Sequence, residues 1–390
     1  MQEKKKSRKL PIIMAFLAGM VVTFGIMAAV SFGFGGGPVL ISQKTYDYYT
    51  ELDDRFAKLN SLYDEVTESY YQEPDEEDLA DGMYKGLIAG LGDPYSAYMT
   101  EEEYESWSAS VTGEFEGIGI TFTTNADGEY IIVSTIADSP AEKAGLKAGD
   151  ILVSADGETY DNMDNLSTAL RGKAGTKVKV GYIRDGKQKE VTITRAKIIN
   201  ETVESKVLED NIGYISISGF EEHTAEDFLE ELDAMEAKKV DGLIIDVRDN
   251  GGGLVNVGTE IADALMGEGT ITYMENRNGE KQYYESDAEE TSLPYVLLVN
   301  ENSASMSEIL AAAVKDNTDN PLVGTTTFGK GIVQTSGQLD DGSALTLTVM
   351  QYFSPEGTMI HKKGVEPDYE VENTGDKDLQ LEKALELLKK

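Results

Sequence analysis

Residues 303–308 read Ser-Ala-Ser-Met-Ser-Glu, three hydroxyls at alternate positions ahead of the alanine-rich run "ILAAAVKD". A hydroxyl becomes a nucleophile only beside a base. The chain has only two histidines. His223 follows Glu221-Glu222 at the start of an acidic helical pattern and reads as solvated; His361, in "GTMIHKKG", has basic neighbours and no acid to orient it. Lys330, in "TTTFGKGIVQ", is the other base available. It lies between two glycines, bordered by Phe328 and Ile332, in a loop joining two apolar stretches. Desolvation there lowers a lysine's pKa toward neutrality, which a lysine base requires. Positions 330, 332 and 334 share a face if the chain is extended, so the Gln334 amide could orient the lysine amine.

A simpler role competes for the serines. Ser305-Met-Ser-Glu308 fits the S-x-x-E capping box, in which a serine opens a helix and a glutamate returns to its N–H. A cap needs one serine, however, and here there are three. A serine nucleophile at a helix start also has the next residue's N–H aimed at a developing oxyanion. Upstream, the apolar stretch "LIIDVRD" runs into Asn250-Gly-Gly-Gly-Leu254, either a tight turn or a set of bare amides facing a phosphate or an oxyanion. No Gly-Lys-Ser/Thr follows and no GxGxxG occurs, which excludes the nucleotide-binding loops. Cysteine is absent, so disulfides, thiolate metal sites and cysteine nucleophiles are excluded.

These residues need a scaffold. From about residue 202 strand and helix patterns alternate: "NIGYISIS", "TAEDFLEELDAMEAK", "VDGLIIDVRD", "NVGTEIADALMG", "YVLLVN", "SEILAAAVKD", "PLVGTTT", then strands at "SALTLTVMQYF" and "DYEVE" and a short helix at 377–389. Unbroken apolar runs such as 243–245 and 296–299 suit strands covered on both faces, so the class is α/β with a layered sheet. Residues 111–197 differ, with short β-rich runs broken by glycine and two short helices, the texture of a compact separate module. Residues 44–105 read as helices, with Leu52, Phe56, Leu59 and Leu62 on one face of a packing or dimerising arm.

The net charge of −37 argues against nucleic-acid and anionic-lipid partners. Residues 1–9, "MQEKKKSRK", are basic, and 10–34 carry no charge over a length that spans about 30 Å of hydrocarbon as a helix. The expectation is a cytoplasmic tail (1–9), a transmembrane anchor (10–34) and an extracytoplasmic remainder. A signal peptide cleaved near Ala28-Ala29 is the rival.

"NENSASMSEILAAAVKDN" with "FGKGIVQ" closely resembles the signature of the carboxy-terminal processing (tail-specific) peptidases, S-A-S-A-S-E followed by F-G-K-G-x-V-Q, whose lysine stands 25 residues after the catalytic serine; Lys330 stands 25 after Ser305. The resemblance covers nearly everything beyond the anchor. "GLIAGLGDPYSAYM" is similar to the family's L-D-P-H-S-x-Y segment with Tyr95 for histidine; "GEFEGIGITF", "SPAEKAGLKAGDIL" and "ALRGKAGTKVKV" resemble its PDZ domain; "LIIDVRDNGGGLV" resembles its D-L-R-x-N-P-G-G turn.

The resemblance implies a Ser–Lys peptidase with Ser305 as nucleophile, Lys330 as base, Gln334 positioning the lysine, and the Gly252 and Met306 amides as oxyanion donors. It implies no metal or cofactor, and a crotonase/ClpP-like layered core at 198–374 after a helical region (35–110) and a PDZ domain (111–197), with a C-terminal helix at 375–390. Gly117, Ile118, Gly119 and Ile120 would capture the carboxylate of an apolar protein tail, Arg171 would couple PDZ to protease, and the chain would pair as a homodimer. Two departures stand out. Met306 replaces alanine and is expected to add bulk near the cleavage site, and Gly251 replaces proline, loosening the turn. A catalytically silent PDZ adaptor is the alternative, although a silent scaffold has no need of Ser305, Lys330 and Gln334 together.

Overall fold

The computed structural model describes residues 14–23, 41–125, 128–375 and 377–389, and the chain divides into two units, Met1–Ala80 and Asp81–Lys390. In the first unit residues 14–23 form helix α1, and α2 (Gln43–Ser69) starts from a Ser42 cap on the Thr45 N–H. Phe56, Leu59 and Leu62 on α2 are exposed. Among the described residues no helix is long and apolar enough to cross a membrane, and most of the expected anchor at 10–34 lies outside them.

Helix α3 (Glu76–Ala89) leads to the Asp93-Pro94-Tyr95-Ser96 turn, strand β1 (Ala97–Met99) and helix α4 (Glu101–Thr112), which Thr100 and Glu103 close as a capping box. The sequence patterns assigned no strand between residues 44 and 105, and β1 is too short for alternation to reveal.

The expected PDZ region is a separate sheet. A two-stranded ribbon of β2 (Glu114–Gly117) and β8 (Ala196–Ile199) brackets five antiparallel strands in the order β3 (Ile120–Thr124), β4 (Tyr130–Thr135), β5 (Ile151–Ala155), β6 (Lys177–Arg184) and β7 (Lys187–Thr194). Helices α5 (Pro140–Lys143) and α6 (Met163–Leu170) add Ala141, Leu166 and Leu170 to a core with Ile118, Ile132, Leu152, Val180 and Ile193. Gly117 closes β2, Ile120 opens β3, and β3 is an edge strand.

The α/β core holds a six-stranded sheet in the order β18 (Tyr369–Glu370), β15 (Leu322–Gly324), β14 (Tyr295–Val299), β11 (Gly242–Asp246), β10 (Ile212–Ile217) and β9 (Val203–Val207), parallel except for β9. Its unbroken apolar runs have a physical cause. Side chains alternate across a strand, so Leu243 and Ile245, Leu297 and Val299 enter one core while Ile244, Val296 and Leu298 enter another. The first core lies under α7 (Thr224–Lys238), α8 (Val255–Leu265) and α9 (Met306–Asn317); Ala384 of α10 (Leu379–Leu388) joins the second. Beyond the helices a second sheet joins β1, β17 (Ala344–Phe353), β12 (Gly269–Asn276) and β13 (Lys281–Ser286), with β16 (Ile332–Gln338) also on β17. Alternation alone did not reveal the β12–β13 hairpin, whose outer strand is mostly exposed.

Every residue of α9 from Met306 to Val314 is buried. The helix that carries the serines is therefore the central one, sandwiched between sheets, and its N-terminus is held from all sides.

Candidate active site

The three serines separate cleanly. Ser303 Oγ donates to the Val247 carbonyl at 2.7 Å and Ser307 Oγ to the Asn250 carbonyl at 2.9 Å, and both residues are fully buried. Those hydroxyls fasten the 247–250 turn to the start of α9. Ser305 is the one that lines a cavity of about 820 Å³, together with Lys330 and Gln334.

Ser305 stands at the N-cap position with φ 57° and ψ −112°, a region L-residues avoid, and the Glu308 N–H that a capping hydroxyl would take lies 2.9 Å from the Ser305 carbonyl. The other half of the cap is present: the Glu308 carboxylate accepts the Ser305 N–H at 2.9 Å. The same carboxylate, with Glu308 wholly buried, accepts the Lys330 N–H at 2.8 Å, the Gly329 N–H at 2.7 Å and the Thr327 hydroxyl at 2.6 Å. One side chain thus fixes the backbone of both serine and lysine. The Tyr352 hydroxyl sits against the carbonyls of Ser305 (3.0 Å) and Lys330, and burial pushes its pKa well up, so it remains a neutral donor.

Lys330 is half-buried, and burial is the main cause that holds its pKa below the usual lysine range, against the raising fields of Asp93 and Glu308. Its cover is not the expected one. Phe328 is 58% exposed, and the ammonium instead lies 4.6 Å from the centre of the Tyr95 ring. The strand-face argument for Gln334 also changes: β16 begins at Ile332, beyond the lysine, and its register shifts between Val333 and Gln334. Gln334 still reaches the cavity, where its amide donates to Thr348 Oγ1 at 3.1 Å.

The two expected oxyanion donors differ. Met306 opens α9, where a first-turn N–H has no intrahelical acceptor. The Gly252 N–H donates to Asn250 Oδ1 at 2.8 Å. Gly252 must be glycine, because a Cβ there would lie 2.7 Å from the Ser305 Cβ. The Met306 side chain is fully buried, turned away from the cavity, and packs on α8 where Gly258 leaves room: a Cβ on Gly258 would meet Met306 Cγ at 2.2 Å. The expected bulk near the cleavage site is absent, since the side chain of a first-turn residue followed the helix packing.

Arg171 donates to Ser106 Oγ of α4 at 3.2 Å and stacks over Phe115, while Trp107, Ser110 and Val111 of α4 line the cavity. Of the histidines, His223 is partnered, Nε2 lying 2.9 Å from Glu114 Oε1, and neither lines the cavity. Sequence reasoning passed over Tyr95, Tyr352 and, except as a cap, Glu308. The S-x-x-E spacing was a signal for the last of these.

A serine at a strained helix start and a half-buried lysine share one cavity, and a separately folded β-sheet module accompanies the α/β core. Known proteins have matching domains. Residues 211–371 match peptidase family S41, 117–194 the PDZ domain, and 37–103 the N-terminal domain of the activating protease CtpB. The carboxy-terminal processing proteases CtpA and CtpB of Bacillus subtilis (strain 168) are each 39% identical, over 90% and 82% of this chain and 76% and 68% of their own. A solved photosystem II D1 C-terminal processing protease superposes at TM-score 0.50 with 28% identity, covering 79% of this chain and 85% of its own. The chain belongs to peptidase family S41, among the carboxy-terminal processing proteases, and is a serine-type hydrolase.

Proposed function

We propose that the protein is a membrane-anchored, extracytoplasmic endopeptidase that recognises apolar C-terminal tails through its PDZ module and cleaves with Ser305, Lys330 and Gln334. The observation that carries the catalytic assignment is the division of labour among the serines: Ser303 and Ser307 are spent on backbone carbonyls, and Ser305 alone of the three lines the cavity of Lys330 and Gln334. Ser305 Oγ attacks the scissile carbonyl as its proton passes to the neutral Lys330 amine; the oxyanion is met by the Met306 N–H, and the lysine returns the proton to the leaving amine. Water then hydrolyses the acyl-enzyme. The Gly252 N–H becomes a second donor when the Asn250 amide releases it.

Gln334 bonds to Thr348 rather than to the lysine, an arrangement that suits a resting enzyme. Tail capture at Gly117–Ile120, with the tail added to the free edge of β3, shifts the population toward an aligned site. Arg171 is the coupling residue, since it ties α6 to the helix that walls the cavity. The uncharged 10–34 segment supports the anchor, and the exposed apolar face of α2 supports a homodimer. The test is cleavage of peptides ending in apolar residues by the wild type, Ser305→Ala and Lys330→Ala. Loss in both variants is expected. Undiminished cleavage by Lys330→Ala would remove the lysine from the mechanism.

A further inference from the structure

The Ser–Lys reading leaves an unsolved electrostatic problem. When Lys330 takes the proton, a cation forms inside a half-buried site, where desolvation penalises it. A carboxylate in contact would stabilise that cation, but it would also keep the lysine protonated beforehand and so unable to act as a base. The residues around Lys330 avoid that contact. Glu308 of α9 faces it, but its two oxygens are taken by Ser305 N–H, Lys330 N–H, Gly329 N–H and Thr327. Asp93, on the turn before β1, is occupied by Ser96 Oγ at 2.6 Å and the Tyr95 N–H at 3.1 Å. Tyr352 of β17 addresses the lysine's carbonyl, and the backbone of His361 closes the far side of Gly331.

What touches the ammonium is the Tyr95 ring, 4.6 Å away. The ring is held in place. Ser96 Oγ accepts the Thr348 N–H at 3.0 Å, and Ala97, two residues on, pairs with Thr346 in β17. We propose that Tyr95 is a positioning residue for the base: its ring face holds the ammonium that Lys330 becomes on taking the Ser305 proton, until that proton goes to the leaving amine. The step is balanced. The Oγ–C bond forms as the proton moves from Oγ to Nζ, and the C–N bond breaks as it moves from Nζ to the amine. An aromatic face suits this duty because its attraction for a cation is weak enough to leave the amine titratable.

The inference rests on the Ser–Lys mechanism, and its test keeps the two apart. The probe is a peptide ending in apolar residues, with kcat/KM measured against pH for the wild type, Tyr95→Phe, Tyr95→Leu and Lys330→Ala. The ring favours the charged lysine, so its removal lowers the lysine pKa. Tyr95→Leu should move the acid limb of the profile down by about 0.4–1.5 pH units and lower the plateau, whereas Tyr95→Phe should keep the limb where the wild type has it. An unmoved limb in Tyr95→Leu, an upward move, or an equal move in Tyr95→Phe would overturn the proposal. Activity surviving in Lys330→Ala would instead sink the Ser–Lys mechanism itself. If Tyr95→Leu melts at lower temperature, Tyr95→Met, which fills similar space without a π face, decides by the same limb.

Discussion

At the scale of single residues, the site depends on a glutamate that performs no chemistry. Glu308 is a buried carboxylate with no cation against its oxygens among the described residues, satisfied by three backbone N–H groups, the Thr327 hydroxyl and, at 3.5 Å, the Tyr352 hydroxyl. Glu308→Gln turns an NH₂ toward two of those donors, so the proposed nucleophile and base both shift. A displacement of about 1 Å costs catalysis on the order of 100-fold, and the expected result is a loss of that size in kcat with KM little changed. A wild-type kcat in Glu308→Gln would refute this. A second expectation concerns Met306 and Gly258. Gly258→Ala forces the buried methionine to repack at about 1–3 kcal/mol, and Met306→Ala opens a cavity at about 2–5 kcal/mol. The double variant fills the cavity with the added methyl group, so its loss, read from denaturant unfolding, should be smaller than the sum of the two.

At the scale of elements, the strands that lead into and out of the PDZ module are pinned to the protease core by a small charge cluster. Glu114 of β2 accepts from Lys197 of β8 at 2.6 Å and meets His223, the N-cap residue of α7, at 2.9 Å. Hydrogen bonding to Glu114 is the main cause that raises the His223 pKa, and Lys197 followed by His223 lowers that of Glu114. A raised histidine stabilises the fold fully below its unfolded value near 6.5 and loses that effect as pH rises through the folded value. The lowered carboxyl acts in the opposite sense, present above about 4.5 and lost as pH falls. The tie should therefore be strongest between these limits. The effect is small because His223 is partly exposed. Melting temperature compared between wild type and His223→Gln should differ most below about pH 6.5 and converge as pH rises through the folded value; a constant difference would deny the imidazolium its part.

The same elements mark how much was legible in the sequence. Long periodic or unbroken patterns identified α7, α9, β11 and β14, because two-sided burial imposes continuous apolarity. The functional turns after β11 and β14 followed from them. The β12–β13 hairpin was not recognised, since its outer strand meets water and carries mixed residues, and β1 was too short for periodicity to register. At the site, Ser305, Lys330 and Gln334 were visible as chemistry-bearing types. Tyr95 as the cover of Lys330 was not, because that contact joins segments 235 residues apart and depends on the pairing of β1 with β17.

At the scale of the whole molecule, the proposed recognition and cleavage sites belong to different sheets, and α4 touches both. On its PDZ side Glu102 accepts from Thr168 of α6 at 3.3 Å and Ser106 accepts from Arg171 at 3.2 Å. On its other side Trp107 lines the catalytic cavity, and it is the only tryptophan in the chain. Its fluorescence therefore reports on that wall without a label. In Ser305→Ala, which binds without cleaving, a peptide with an apolar carboxyl end should change Trp107 emission as it fills the PDZ groove. Adding Arg171→Ala removes a side-chain bond between the end of α6 and α4, so the peptide should still bind, as measured calorimetrically, while the emission change shrinks. A ligand shifts a conformational equilibrium only through contacts that differ between the two states, and Arg171→Ala tests whether the Arg171–Ser106 bond is one of them. An undiminished emission change at saturating peptide would mean that α4 is moved through Thr168 or the strand linkers alone, and Arg171 would lose its role in the coupling.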